Sequence, residues 1–304
     1  MTAPAYRPRR TTLAVPGSSQ KMIDKAKTLP ADEVFLDLED AVAAPAKVEA
    51  RQRIAEALNA PGWSGQLLSV RVNDWTTEWT YADLVEIVSR AGANIDNILL
   101  PKVTAASHVT ALDLLLTQLE RSHGLQVGAI GIQAQIENAE GLTNIDAIAS
   151  ASLGMRTLVV GEQPPGYDGE AYHHVLMTIL VAARAHGIDA IDGPYLKVRD
   201  VDAFRTAAAR SAALGFDGKW VLHPAQIEAG NEIFSPRQDD YDRAELILDA
   251  YEWHTSVAGG ARGAVMLGDE MIDEASRKMA LVIAGKGRAA GMARQAAPYE
   301  PPTG

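Results

Sequence analysis

Short apolar segments alternate with longer segments of helical periodicity along most of the chain. The short segments are rich in leucine and β-branched residues, which is typical of strands covered on both faces. They predict strands at residues 12–16, 33–40, 67–73, 97–102, 131–137, 157–161, 190–194 and 219–223. Between them, helical spacing is clearest at residues 47–58, 81–91, 109–122, 172–186 and 201–214.

Eight strands that alternate with helices predict a parallel sheet, and eight such units can close into a barrel. We therefore predict an α/β fold, a (β/α)8 TIM barrel over residues 1–235. A doubly wound sheet is the alternative. That fold usually carries a glycine-rich phosphate-binding turn after its first strand, and the turn Pro16-Gly17-Ser18-Ser19 is not this motif.

The chain continues beyond the eighth strand into a predicted C-terminal helical extension, residues 236–297. One long helix is predicted at 237–255 and a second at 269–284, with a break at Gly259-Gly260. We expect this extension to pack on a neighbouring protomer. The last residues, 298–304, are predicted to be a disordered tail.

Composition excludes several classes of function. The 304 residues carry a net charge of −11, which disfavours nucleic acid and anionic membrane surfaces as partners. The chain has no cysteine, so disulfides and cysteine nucleophiles are excluded. Its first residues lack the apolar core of a secretory signal, and no apolar run is long enough to span a bilayer. We therefore expect a cytoplasmic protein.

Polar side chains collect where the predicted strands end. The second strand ends in Glu39 and Asp40, the third contains Arg71, the fourth ends at Lys102 and the fifth at Glu137. In TIM barrels, catalytic groups lie at the carboxyl ends of the strands. The planar guanidinium of Arg71 suits a carboxylate ligand, and a structural ion pair with Glu39 or Asp40 is the alternative.

The fifth predicted strand carries three polar residues at alternate positions: Gln133, Gln135 and Glu137. Burying them requires partners, because an unpaired buried carboxylate is very costly. A divalent metal or a cation is a natural partner for such a group.

The motifs along the chain resemble, in order, those of the citrate lyase beta-subunit-like and malyl-CoA lyase family of the HpcH/HpaI aldolase superfamily. The similarity runs from about residue 9 to 285. It is carried by LAVPGS at 13–18, LDLEDAV at 36–42, VRVN at 70–73, LPKV at 100–103, IENAEG at 136–141, AIDGPY at 190–195, GFDGKW at 215–220, HPAQI at 223–227 and GDEMID at 268–273.

This resemblance implies a Mg2+-dependent carbon–carbon lyase or synthase. Such an enzyme cleaves a 3-hydroxyacyl-CoA, of the malyl-CoA, citramalyl-CoA or citryl type, into an acyl-CoA and a 2-oxo acid. By resemblance, Glu137 is a metal ligand, and Glu39 and Asp40 support the metal through water. Arg71 binds the oxo acid and stabilises the enolate. Asp273 is the acid/base, donated by a neighbouring protomer of a homotrimer or hexamer.

Three further residues are implied in substrate binding beside Arg71. Pro16 and Gly17 belong to the opening motif, and Lys102 to the fourth. Cations such as Arg71 and Lys102 suit this chemistry, because cleavage removes the hydroxyl proton and places negative charge on the thioester carbonyl oxygen.

One motif of the family is altered at the end of strand six. The family usually carries Gly-x-x-Asp there, and that Asp is the second metal ligand. Here the segment is Gly161-Glu162-Gln163-Pro164, and a proline side chain cannot bind a metal. In one explanation Glu162 or Asp168 replaces the ligand.

In the other explanation, residues 157–168 form a loop after strand six, and the segment that bears the Asp is missing between residues 150 and 155. The barrel would then be incomplete or would recruit a replacement strand. The Pro-Pro-Gly-Tyr-Asp run favours this second explanation. Two other functions stay open: a catalytically impaired member that acts as a binding or structural oligomer, and an aldolase of free oxo acids. The extension with Asp273 favours the CoA enzymes.

Overall fold

A computed structural model describes residues 6–161 and 172–301. The chain divides into two compact units, one spanning Arg9–Phe234 and the other Ser235–Gly304 with Met1–Pro8. Among the described residues, no helix is long and apolar enough to cross a membrane.

The first unit contains a closed barrel of eight parallel strands, each hydrogen-bonded to its neighbours in chain order. The TIM-barrel prediction is therefore confirmed, and the doubly wound alternative is wrong. The strands are β1 Thr11–Pro16, β2 Glu33–Asp37, β3 Leu67–Arg71, β4 Asn97–Leu100, β5 Gly131–Ile136, β6 Met155–Val160, β7 Asp189–Asp192 and β8 Gly218–Val221.

Strand β6 narrows the two explanations for the altered sixth motif. Met155–Val160 pairs in parallel with β5 on one side and with β7 on the other. An incomplete barrel is therefore excluded, because the apolar segment just before the proline-rich run is itself the sixth strand. A replacement strand and a substituted metal ligand both stay predictions. Strand β6 begins two residues earlier than predicted, since Met155 already pairs with Ile132.

Helices follow the strands around the barrel, close to their predicted positions. They are α1 Gln20–Ala26, α2 Lys47–Asn59, α3 Thr80–Ala91, α4 Ala106–Ser122, α5 Ala139–Thr143, α6 Ile145–Ala149, α7 His173–Ala185, α8 Val201–Leu214 and α9 Ile227–Ile233. Alternate strand residues pack against them; on β5 these are Ile132, Ala134 and Ile136.

The other strand residues fill the barrel interior in layers. The middle layer is apolar and consists of Phe35, Leu99, Val159, Ile191 and Trp220. It separates two polar zones, one at each end of the barrel.

The polar zone at the amino ends of the strands is a closed network. Buried Glu33 accepts hydrogen bonds from Ser69 and, at 2.6 Å, from Gln133 Nε2. Arg9 Nε lies 3.3 Å from Glu33, and Arg9 Nη1 lies 2.5 Å from Asp189. Burial raises the pKa of Glu33 despite the charge of Arg9. Gln133, which was predicted to need a partner when buried, donates to this carboxyl group.

The second unit contains helices α10 Gln238–Thr255 and α11 Glu274–Ala289 and a hairpin of β9 Val265–Leu267 with β10 Glu270–Ile272. The helix predicted at 269–284 was misplaced at its start. Gly268 turns the hairpin with φ +64°, and Asp273 caps α11, which then continues to Ala289. Near the chain end, the Tyr299 hydroxyl lies 2.9 Å from His254 Nε2.

The seam between β8 and β1 generates a prediction. A methyl group at Gly218 would lie 1.8 Å from the carbonyl oxygen of Arg9, which is backbone that cannot move without disturbing the seam. We expect Gly218→Ala to lower the free energy of unfolding by at least about 2 kcal/mol, measured by chemical denaturation.

Gly285→Ala is the matched control, because a methyl group at that helical position meets no atom within 4 Å. It should leave the barrel transition unchanged. Equal denaturation midpoints for Gly218→Ala and the unmodified chain would contradict the assigned packing of the seam.

Candidate active site

The predicted site residues of four consecutive strands meet at the carboxyl end of the barrel. Arg71, at the end of β3, contacts Glu39, which follows β2. Lys102, after β4, contacts Glu39 with its side chain and Glu137, after β5, with its backbone. Asp40 lies at the edge of this group, with Oδ1 3.5 Å from Lys102 Nζ.

Carboxylates and aromatic rings hold Arg71 on several sides. Its Nε and Nη2 donate to the two oxygens of Asp37 at 2.7 Å each, and Nη1 lies 3.0 Å from Glu39 Oε2. The guanidinium carbon lies 5.6 Å and 5.4 Å from the ring centres of Phe35 and Trp220. Burial alone would lower the pKa of Arg71, but the hydrogen bonds and charge of Asp37 raise it.

Asp37 is a functional residue that the motif-based reasoning did not select. Besides Arg71, it accepts the backbone N–H groups of Glu39 at 2.8 Å and Ala41 at 3.1 Å. It therefore fixes both the guanidinium and the loop that carries Glu39. Strand alternation could have identified it, because Asp37 lies two residues after the inward-facing Phe35 and pairs in register with Arg71.

Glu39 is buried between the two cations. Its Oε1 accepts from Lys102 Nζ at 2.5 Å, while Oε2 faces Arg71. Burial raises the pKa of Glu39, and Arg71 and Lys102 oppose that rise. Arg71 forms the structural ion pair with Glu39 that was the alternative to a carboxylate ligand, and Asp40 pairs with Lys102. Their assigned roles in catalysis stay predictions.

Lys102 combines a side-chain and a backbone function. Its φ of +51° lies in the left-handed region, which is uncommon for a residue other than glycine and marks a conformation imposed by its surroundings. In this conformation its N–H donates to Glu137 Oε1 at 2.8 Å. Burial alone would lower the pKa of Lys102, but Glu39, Asp40 and Asp74 raise it.

Glu137 presents a half-buried carboxylate. Lys102 N holds one oxygen, and the described residues provide no hydrogen bond to the other. Burial raises the pKa of Glu137, with the Lys102 N–H and the charge of Arg71 opposing. Gly161 is packed close beside it: a methyl group there would lie 2.9 Å from Glu137 Cγ. The end of β6 thus limits the positions that the Glu137 side chain can adopt.

A second residue outside the predicted set, Lys47 on α2, supports the loop after β2. Its Nζ donates to the carbonyl oxygens of Leu38 and Glu39 at 2.6 and 2.9 Å and to Asn73 Oδ1 at 2.6 Å. Burial lowers the pKa of Lys47. A lysine at the start of a helix gives no sequence signal for such a role.

Pro16 and Gly17 lie at the same end of the barrel. Gly17 N donates to the carbonyl oxygen of Asp37 at 2.8 Å, and a methyl group at Gly17 would lie 2.7 Å from that oxygen. The close approach of the two backbones requires glycine here. Whether Pro16, Gly17 and Lys102 bind substrate stays a prediction.

The polar residues at the ends of β7 and β8 have other partners. Asp192 points away from the barrel interior, toward Ser211 on α8, and pairs with Lys219 Nζ at 2.5 Å. His223 accepts the N–H of Ala225 at 3.2 Å and caps the following turn. Neither residue belongs to the group around Arg71.

The proposed metal ligands are only partly described. Glu162 and Asp168 lie outside the described residues. Within residues 6–161 and 172–301, no group of three or more His, Cys, Asp or Glu side chains is arranged to hold a metal ion. Mg2+ commonly uses one or two protein carboxylates and completes its shell with water and substrate oxygens. Glu137, with one unbonded oxygen, fits that requirement.

Asp273 lies in the second unit, where it caps α11. One of its oxygens, Oδ1, accepts the N–H groups of Ala275 at 2.9 Å and Ser276 at 3.0 Å. These hydrogen bonds, led by that of Ser276, lower the pKa of Asp273. The described residues give Oδ2 no hydrogen bond, so a charged oxygen of Asp273 is available to a partner.

The same barrel and motifs occur in characterised proteins. The profile of the HpcH/HpaI aldolase/citrate lyase family matches residues 10–224. This chain belongs to that family. An L-malyl-CoA/beta-methylmalyl-CoA lyase of Cereibacter sphaeroides is 36% identical over 92% of this chain and 95% of its own. A (3S)-malyl-CoA thioesterase of the same species is 34% identical over 81% of this chain and 84% of its own.

Solved structures of relatives agree with the fold. A citrate lyase from Burkholderia xenovorans superposes with a TM-score of 0.80 at 22% identity, covering 96% of this chain and 95% of the other. CitE from Mycobacterium tuberculosis, crystallised with magnesium, acetoacetate and coenzyme A, gives a TM-score of 0.66 at 26% identity, covering 93% and 98%.

The ion pair of Arg71 with Asp37 generates a prediction about stability. Asp37→Asn removes one charge of a buried pair and leaves the Arg71 guanidinium under-compensated. We expect the free energy of unfolding to fall by about 3 kcal/mol in a denaturant titration. Glu49→Gln, at the exposed pair with Arg53, is the control and should cost less than about 1 kcal/mol. Equal losses in the two variants would show that Arg71 does not depend on Asp37.

Proposed function

We propose that this protein is a Mg2+-dependent carbon–carbon lyase that cleaves a short 3-hydroxyacyl-CoA of the malyl-CoA type into an acyl-CoA and a 2-oxo acid. The observation that carries the proposal is that a half-buried carboxylate, Glu137, and a fixed guanidinium, Arg71, lie at the same carboxyl end of the barrel. The names of the relatives support the substrate class.

In the cleavage direction, the C–C bond between the hydroxyl-bearing carbon and the carbon next to the thioester breaks. The hydroxyl proton leaves to a base, the hydroxyl carbon becomes the carbonyl of the oxo acid, and the electron pair passes to the thioester as an enolate. Protonation of that enolate carbon gives the acyl-CoA. Bound Mg2+ would supply Lewis-acid polarisation of the oxo-acid oxygens.

Four residues of the protein would have separate roles in this reaction. Glu137 would hold the metal with its unbonded oxygen. Arg71 retains N–H groups beyond those used by Asp37 and Glu39 and would stabilise the negative oxygen. Lys102 fixes Glu137 through its backbone. Asp273, with Oδ2 free of hydrogen bonds from the described residues, would accept the hydroxyl proton.

The relative that is a thioesterase motivates a second candidate, hydrolysis of the thioester without C–C cleavage. The two reactions differ in products: a lyase releases a 2-oxo acid with an acyl-CoA, whereas a thioesterase releases free CoA and the hydroxy acid. A thiol reagent and a 2-oxo-acid assay on the same reaction distinguish them.

Binding of the metal and the oxo acid is the direct test of this proposal. Calorimetric titration of the purified protein with glyoxylate or pyruvate in Mg2+ should give binding heat. Glu137→Gln should remove that heat, because an amide lacks the charge of the ligand carboxylate. Asp192→Asn, a buried carboxylate away from the site, should retain it. If the unmodified protein gives no heat and no turnover of malyl-CoA, the enzyme proposal fails and a binding or structural role is favoured.

The role of Asp273 can be separated from its capping function. Asparagine caps helices as well as aspartate, so Asp273→Asn should leave the fold intact. We expect it to lower lyase turnover by 10²- to 10⁴-fold through loss of the base. Asp200→Asn, at the N-terminus of α8, makes the same change at another cap and should have little effect. Unchanged turnover in Asp273→Asn would remove this residue from the mechanism.

A separate experiment tests whether a neighbouring protomer donates Asp273 to the site. Co-expression of Glu137→Gln with Asp273→Asn should restore activity in mixed oligomers, up to roughly a quarter of the sites for random cyclic assembly. No restoration, with mixed oligomers verified by mass, would place both residues in one chain's site and contradict sharing between protomers.

A further inference from the structure

Two glutamines on β5, Gln133 and Gln135, occupy equivalent inward-facing positions but have different surroundings. Both are at least 98% buried, since their exposed fractions are 1% and 2%. Gln133 is bound, because its Nε2 donates to Glu33 at 2.6 Å. Gln135 is not: its Oε1 is a fully buried oxygen with no hydrogen bond from the described residues.

The position of Gln135 relates it to the site. It lies two residues before Glu137 and on the same face of the strand, so its Cα is about 7 Å deeper in the barrel. On the flanking strand its Cα partner is Val159, an apolar residue that offers no hydrogen bond. Gln135 thus forms part of the floor beneath the Glu137 carboxylate.

An orphaned amide oxygen at this depth is unfavourable in the protein alone. A buried acceptor without a donor costs about 1–3 kcal/mol. A leucine or methionine would avoid that cost. The arrangement becomes favourable when the amide turns its oxygen toward the mouth of the barrel, where a donor can enter.

Divalent cations of the magnesium type bring such donors. Mg2+ keeps several of its water molecules when it binds to one or two carboxylates, and bound water is a strong hydrogen-bond donor. Residues that hold metal-bound water typically change metal affinity by 10- to 100-fold when they are replaced.

We propose that Gln135 is an outer ligand of the metal site, with its amide oxygen accepting a hydrogen bond from a water molecule on the cation held by Glu137. This inference rests on the proposed function. It gives the site a second oxygen group from β5 itself, independent of residues 162–171.

The test measures binding of Mn2+, a paramagnetic substitute for Mg2+, by electron paramagnetic resonance without any organic ligand. Gln135→Met keeps the side-chain volume and removes the oxygen. We expect it to weaken Mn2+ binding at least tenfold. In the metal-free protein it should not lower the denaturation midpoint, because the lost oxygen had no partner. Gln135→Glu restores an oxygen and should bind Mn2+ more tightly than Gln135→Met.

Gln133→Met is the matched control. Gln133 lies two residues before Gln135 on the same face of β5, and this variant removes its hydrogen bond to Glu33. It should therefore lower stability and leave Mn2+ affinity unchanged. Equal Mn2+ affinity in Gln135→Met and the unmodified protein overturns the inference. A lower denaturation midpoint in Gln135→Met would also contradict it, because the amide would then be hydrogen-bonded to a buried structural water in the metal-free protein. If the unmodified protein itself binds no Mn2+, the proposed metal enzyme fails together with this inference.

Discussion

The buried Arg71 guanidinium is the constraint on which the active end of the barrel depends. A cation over the Phe35 and Trp220 rings is stable only with paired carboxylates, and Asp37 provides both oxygens. Glu39 adds a second negative charge, which Lys102 balances with its side chain. The backbone of Lys102 then turns toward Glu137. The position of the candidate metal ligand therefore follows from contacts that begin at Arg71.

The charges of this group have a further consequence. Carboxylates outnumber cations in this group. Five carboxylates face three cations, so 5 − 3 leaves an excess of negative charge; the carboxylates are those of Asp37, Glu39, Asp40, Asp74 and Glu137, and the cations are Arg71, Lys102 and Lys47. Burial penalises that charge, in agreement with the raised pKa values of Glu39 and Glu137. A bound divalent cation relieves the imbalance. At the other end of the barrel, Arg9 lies between Glu33 and Asp189.

The sequence predicts the barrel well because the strands are buried on both faces and their apolar runs are unmistakable. It also predicts that Arg71, Glu39, Lys102 and Glu137 meet, since the carboxyl ends of consecutive parallel strands lie side by side. It does not identify Lys47, whose role depends on the direction of a helix. The sequence places the start of α11 too early, because the polar residues of a short hairpin and of a helix cap also fit a continuous helical pattern.

The altered sixth motif changes how the metal and the substrate depend on each other. With β6 in place, the eight-stranded barrel is closed. If Glu137 is the main protein ligand, Mg2+ alone binds weakly and relies on oxygens of the oxo acid. By thermodynamic linkage, the oxo acid must then strengthen metal binding by the same factor as the metal strengthens oxo-acid binding. A site of this kind binds its cation weakly by itself and more tightly once the substrate is present, which favours activity that is conditional on both components over a permanently loaded metal centre.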